Sequence, residues 1–595
     1  MQNIKDYLKS VRFSLSYAFR FVAKDTYIMI LLAMLVGVLP YGNAFLLGKL
    51  VNVIVAGAKS GTYTNIWYVL LFYALISALP TIIGNLQLYV NRRRMLKLQM
   101  ETDMDILKRR EQIDIASQED PKFQDLLQRT MRNGIQPIFQ LGNGQFDVFQ
   151  AVTSLIVGTA LAIHFNFFVY IIVILTATPG FLTDVKYAGK SWNIWAKDSP
   201  EQRRLGDLRW HITMKNALIE TKLLQSGKKI LTWARKIMAN FADIQLQLES
   251  KRLWQTSLAD ILAFLGFGIG LFLVVRNVIA GEVLVGSLVY MMGTLSSVRG
   301  SIGSLLASIS GQYENHLIVK DMIELLNTKP SIIESKNPTT LKLTKAPEII
   351  FENVSFKYPH TDNWSLKNIT LTLKSGDKIG LVGNNGAGKT TFVKLLCRIY
   401  EPTEGRILVN GVDLRDIATA EWWSYLGIMF QDYASYDFSV KDAIGIGRPD
   451  APVRLDKVKD AAETAQAHTF IEEWKEGYNQ QLGVEFGGKE PSKGQRQKLS
   501  IAKIIYRNAF VMILDEPTAS VDAESEAKIF DSLEELSENT TALLISHDFS
   551  TILQCNQIFV LEKGKLIEEG SHKELMKKKG VYAELYNLQA ERFKK

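Results

Sequence analysis

The clearest chemistry in the chain lies in Gly383-Asn384-Asn385-Gly386-Ala387-Gly388-Lys389-Thr390-Thr391. An apolar run from Ile379 to Val382 precedes it, and Phe392, Leu395, Leu396 and Ile399 continue at helical spacing. The glycines let the backbone curl so that successive N–H groups point inward, at the positive end of the helix that follows. That builds a nest for a polyphosphate. Lys389 is placed to reach the terminal phosphates, and the Thr390 hydroxyl to ligate Mg²⁺.

A second stretch supplies the complementary groups. Phe510-Val511-Met512-Ile513-Leu514-Asp515-Glu516-Pro517 reads as a buried parallel strand that delivers two acids at its carboxyl end, where sites form on α/β sheets. Asp515 suits Mg²⁺, directly or through water. Glu516 suits a carboxylate that polarises water for in-line attack on a γ-phosphate. The pair of stretches implies binding and hydrolysis of ATP with Mg²⁺.

The rest of the chain must position that site. At 595 residues it is too long for one core and divides into two or more domains. Its 47% hydrophobic content crowds into long runs before residue 310. A net charge of +8 would suit nucleic acid, but Arg92-Arg93-Arg94 and Lys108-Arg109-Arg110 flank apolar runs or follow them into a loop. The positive-inside rule accounts for them, so membrane lipid is the expected partner and nucleic acid is not. Cys397 and Cys555, with no CxxC spacing, read as buried, reduced thiols of a cytosolic domain.

Residues 1–25 place Leu8, Val11, Leu15, Phe19 and Val22 on one face among Lys and Arg, as in an amphipathic helix at the inner membrane surface. No small-residue cleavage site follows the next apolar run, against a signal peptide. Residues 26–327 form a membrane domain with six spans, near 27–55, 66–90, 146–165, 167–181, 258–275 and 283–309. The loops after the second and fourth spans are long and basic. They, both termini and the ATPase domain are therefore cytoplasmic, in a multi-pass cell-membrane protein. Stretches 113–128 and 212–224 within those loops are candidates for turns that touch the ATPase. Arg299, well inside the sixth span, is a candidate for lining a pathway. A polar linker, 328–347, leads to an α/β domain over 348–595. The expected fold is an α-helical membrane domain followed by an α/β P-loop NTPase domain.

This order of elements resembles the ATP-binding cassette (ABC) transporter superfamily, and the six-span front resembles its exporter-type half-transporters. The likeness covers nearly the whole chain. It implies that Tyr358 stacks on adenine, that Gln431 in Met429-Phe430-Gln431-Asp432 watches the γ-phosphate and shares the Mg²⁺ site with Thr390 and Asp515, and that His547 in Ile545-Ser546-His547-Asp548 contacts the γ-phosphate. Ala519-Ser520-Val521-Asp522 matches the loop that crosses the family's dimer interface. Leu482-Gly483-Val484-Glu485-Phe486-Gly487-Gly488 is similar to bacterial peptide and lantibiotic exporters.

One motif departs from the family. Its Leu-Ser-Gly-Gly-Gln signature, which closes over ATP on the opposite subunit, reads Pro491-Ser492-Lys493-Gly494-Gln495 here. Ser492, Gly494 and Gln495 survive, whereas Lys493 replaces a glycine that permits close backbone approach and Pro491 restricts the entry. An intact P-loop, Mg²⁺ ligand, base and switch beside an impaired lid is the pattern of one half of an asymmetric pair. A second, different half-transporter is favoured over self-pairing. The resemblance implies ATP-driven export of a small amphipathic molecule, lipid or peptide; the rival is an ATP-binding regulatory or channel-like membrane protein with little turnover.

Overall fold

In a bilayer, backbone polar groups have no water to turn to, so a long apolar segment must satisfy them within itself and becomes a helix. The computed structural model follows this rule through the first half of the chain. It describes residues 2–61, 66–134, 136–165, 167–196, 200–359, 361–517, 528, 539–546 and 549–594. Two compact units result: Met1–Ile113 with Pro121–Lys329, and Asp114–Asp120 with Pro330–Lys595.

The first unit is helical. Its elements are α1 (Gln2–Ser60), α2 (Ile66–Gln112), α4 (Pro121–Asn133), α5 (Gln136–Phe165), α6 (Phe167–Ala196), α7 (Pro200–Thr213), α8 (Lys215–Leu223), α9 (Gly227–Ile279) and α10 (Val285–Asn327); α3 (Ile115–Gln118) belongs to the second unit. Four helices, α1, α2, α5 and α9, carry stretches long and apolar enough to cross a membrane. The apolar part of α6, Phe167–Gly180, is shorter. At 47 residues α2 is about 70 Å long, far more than the ~30 Å hydrocarbon core, so most of its second half lies beyond any bilayer.

The amphipathic start is continuous with the first span as one helix, α1, with a kink at Val22 (φ −139°, ψ 41°). Part of its apolar stripe packs on protein, while Leu8 stays exposed. Ala18 and Val22 are buried with Leu98 and Ile106 of α2, Leu126 of α4, and Val319 and Met322 of α10, and Val11 packs against the same cluster. Because α2 and α10 continue past the membrane, they offer apolar partners at that level. The guanidinium of Arg299 lies 3.7 Å from the ring centroid of Phe264 on α9.

The second unit has two sheets. One is antiparallel, in the order β2 (Leu366–Leu373), β1 (Ile349–Phe356), β4 (Glu404–Val409), β5 (Val412–Asp413). The other runs β10 (Lys565–Gly570), β9 (Gln557–Glu562), β3 (Lys378–Val382), β8 (Thr541–Ile545), β7 (Val511–Asp515), β6 (Leu426–Met429). From β9 to β6 it is parallel, and all of β7 is buried, as its continuous apolar run requires. Helix α11 (Lys389–Leu396) packs between the sheets, with Phe392 stacked 4.4 Å from Phe351. Cys397 and Cys555 are free, buried thiols.

Asp114–Asp120, from the first long loop, folds with this second unit. Asp114 caps α3, accepting from Ser117 N at 2.7 Å, and also accepts from the Ser331 hydroxyl at 2.8 Å. Ala116 packs against the sheet core, and Glu119 pairs with Lys394 of α11 at 2.8 Å. The contact is narrower than the stretch 113–128: Phe123, Leu126 and Leu127 of α4 enter the helical core of the first unit instead. Residues 212–224 also belong to the first unit, with Met214, Leu223 and Leu224 exposed.

Candidate nucleotide site

The glycine loop leaves the sheet at the carboxyl end of β3 and runs into α11. Two of its glycines are sterically required. A Cβ on Gly383 would stand 2.4 Å from the Leu561 carbonyl oxygen of the neighbouring strand. Gly388 has φ +107°, where a side chain is strained, and its Cβ would meet Leu366 Cδ2 at 2.7 Å. Lys389 folds back over the loop, its Nζ donating to the carbonyls of Gly383 (2.6 Å) and Asn384 (3.3 Å). Thr390 takes the second position of α11. The next residue, Thr391, hydrogen-bonds the Tyr358 hydroxyl at 3.1 Å. Tyr358 is half-buried, its ring edge-on to Phe356 and Tyr400 at 5.0 and 5.2 Å.

Only β8 separates β3 from β7, so the acids arrive on the same sheet edge as the loop. Asp515 is buried. Burial first, and then the neighbouring Glu516 charge, push its carboxyl up to about 6 against the pull of Lys389. Burial lowers Lys389, which Asp515 and Glu516 oppose. Two carboxylates thus share one ammonium. A divalent cation would relieve that excess, and the residues fit one: no cluster of three His, Cys, Asp or Glu exists among the described residues, so such an ion would take one carboxylate, hydroxyl and amide oxygens, water and phosphate. That donor set suits Mg²⁺.

Glu516 sits at φ +51°, uncommon for a non-glycine residue and a local strain that surrounding bonds must hold. Its N–H donates to Ile545 O at 2.8 Å, Gln431 Nε2 donates to its Oε2 at 2.8 Å, and Gln497 Nε2 donates to its carbonyl at 3.2 Å. The structure therefore brings together Gln431, Glu516, Asp515 and Lys389, from three separate stretches. His547 and Ala519-Ser520-Val521-Asp522 lie outside the described residues.

The altered signature folds as a helix start. Ser492 is the N-cap of the helix Lys493–Arg507; its Oγ accepts from Gln495 N at 3.2 Å, and Gln495 Oε1 accepts from Ser492 N at 2.9 Å. Pro491 precedes the cap, so its missing N–H costs the helix no bond. Lys493 is the first helical residue and is exposed, and Gly494 follows it.

Two sets of contacts escape sequence reasoning. Gln497 supports Glu516 from the buried face of its helix, four and seven residues before Ile501 and Ile504, where the spacing calls for an apolar side chain. Glu119, Lys394 and Tyr400 meet across some 275 residues of chain, the Tyr400 hydroxyl donating to Glu119 in a short hydrogen bond. No local pattern marks such a contact.

Residues 366–519 match the family model for the ABC transporter ATP-binding region. The chain is 24% identical over 560 residues to the subtilin transport ATP-binding protein SpaT of Bacillus subtilis, covering 94% of this chain and 90% of that protein. An uncharacterized ABC transporter ATP-binding protein of Haemophilus influenzae is 33% identical over 377 residues, 62% of this chain and 60% of its own length. A bacterial Atm1-family ABC exporter, solved with ATP bound, superimposes with a TM-score of 0.76 at 22% identity, over 94% of this chain and 98% of that one. The chain carries an ABC transporter ATP-binding domain, which follows a helical membrane domain of the exporter fold.

Proposed function

We propose that this chain is one half of a dimeric ATP-driven exporter that moves a small amphipathic molecule, lipid or peptide out across the cytoplasmic membrane. Hydrolysis of ATP drives that transport. The membrane domain crosses six times, with the termini and the ATPase cytoplasmic. The observation that carries the reading is the convergence of Lys389, Asp515, Glu516 and Gln431 at one sheet edge behind a helical domain of exporter fold.

In this reading the backbone of Gly383, Asn384, Asn385, Gly386, Ala387 and Gly388 cradles the phosphates, with Lys389, Thr390 and Thr391 at the helix start. Tyr358 stacks on the adenine. Thr390, Gln431 and Asp515 would hold Mg²⁺, which neutralises phosphate charge when bound. Gln431 and Gln497 aim Glu516, whose carboxylate accepts the proton of the attacking water, and His547 steadies the γ-phosphate. Ser492, Gly494 and Gln495 close over ATP held by the partner. Lys493, at the point of closest approach, supports pairing with a different half-transporter whose own signature is sound.

The test is ATPase activity of this chain purified alone in lipid, with its oligomeric mass measured on the same sample. A monomer, or a dimer with almost no turnover, fits the heterodimer. A dimer turning over near one per second or faster is a working homodimer. In that case Lys493→Gly, which restores the close approach, should raise the rate.

A further inference from the structure

Three helices of the membrane domain line an open pocket of about 430 Å³. Ser297, Ser301 and Ser304 of α10 line it at spacings of four and three, which puts them on one stripe. Asp147, Gln150 and Ser154 of α5 follow the same spacing, and α1 closes the third side at Gly37, where a Cβ would lie 2.7 Å from the Gln150 carbonyl oxygen. At one end the hydroxyls are locked together. Tyr41 donates to Ser154 O at 2.6 Å and lies 3.0 Å from Ser154 Oγ, which Ser301 Oγ meets at 2.6 Å. Both Tyr41 and Ser154 are buried.

Asp147 stands two helical turns from that lock, about 10 Å along α5, with its side chain open to the cavity. Nothing answers it: among the described residues it has no hydrogen-bond or ion-pair partner, and no charged side chain acts on it. Arg299 of α10 lies over the Phe264 ring of α9. An acid within a membrane segment is costly and is otherwise paired. Among the described residues that line the pocket, the polar neighbours of Asp147 are hydroxyls and an amide, which accept N–H bonds but bring no positive charge.

We infer that this cavity is a subsite for the cationic end of an amphiphile, an organic ammonium group, and that Asp147 selects for it. The serine hydroxyls and Gln150 take its N–H donors. The inference rests on the export reading, since it makes the amphiphile a cargo.

The probes are monodansylcadaverine, a fluorescent primary ammonium, and its N-acetylated, uncharged form. Their binding is measured by fluorescence anisotropy to the full chain in zwitterionic lipid nanodiscs without nucleotide. Wild type should bind the ammonium at least about tenfold more tightly than the acetylated form. Asp147→Asn should erase that preference while leaving the acetylated form's affinity alone, and Asp147→Glu should restore it. Equal binding of both probes by wild type, or an unchanged preference in Asp147→Asn, overturns the assignment. If Asp147→Asn loses ATP binding, and so has misfolded, the wild-type preference and Asp147→Glu decide. ATP-driven uptake of monodansylcadaverine into inverted vesicles of the native membrane, which carries any partner half, compared with vesicles from cells lacking this chain, separates the two readings. An Asp147-dependent preference without ATP-driven movement sinks export and keeps the subsite; movement without preference does the reverse.

Discussion

Replacing Glu119 by Ala should loosen Asp114–Asp120 from the ATPase unit, and the size of the effect follows from its contacts. The Glu119–Lys394 pair, at 2.8 Å with side chains 42% and 21% exposed, is worth about 0.5 kcal/mol after solvent screening. The hydrogen bond from the Tyr400 hydroxyl is charge-assisted, and Tyr400 is buried, so its loss costs about 1.5 kcal/mol. Together they make ~2 kcal/mol, a factor of about 30 in the opening equilibrium. Amide exchange of α3 in the full chain reads this directly. Gln118 N and Glu119 N are bonded to Asp114 O and Ile115 O, and they exchange only when the turn opens. Exchange should speed up about 30-fold in Glu119→Ala and less in Tyr400→Phe, which keeps the ion pair. Basal ATPase should hold, because Glu119 touches no group of the nucleotide site, while stimulation by cargo falls. Unchanged exchange in Glu119→Ala would refute the assignment of this docking contact.

Glu516→Gln should cut turnover at least ~100-fold while ATP still binds, and wild-type-like turnover would remove Glu516 from its role. Gly388→Ala forces a side chain into φ +107° at a strain of about 1–2 kcal/mol, so affinity for a fluorescent ATP analogue should fall about tenfold. Burial holds the His316 imidazole below its ordinary value, against the pull of Asp6 and with help from Lys320, where its Nδ1 lies 3.0 Å from Ser10 Oγ. A depressed histidine favours the folded state in its neutral form. That stability is full above pH ~6.5 and is lost as pH falls through it. Thermal unfolding at pH 7.5 and 5.5 should show the drop, and His316→Gln should shrink it.

The sequence by itself determined the two-part chain and where its glycine loop and strand-end acids lie. These are local matters. Glycine spacing, a continuous apolar strand and acids at its end each carry their meaning within about ten residues, as do apolar runs long enough to span a bilayer. Tertiary structure decided what depends on neighbours distant in the chain. The amphipathic start was legible as a helix, but only the extension of α2 and α10 alongside it brought Val11, Ala18 and Val22 against protein. Gln431 was legible as a motif residue; its 2.8 Å bond to Glu516 comes from β6 and β7 lying side by side. That Arg299 lies over Phe264, and that Asp147 lines a pocket between three helices, also depends on elements distant in the chain. A side chain's type is local, whereas whether its charge is answered depends on which distant elements the fold brings against it.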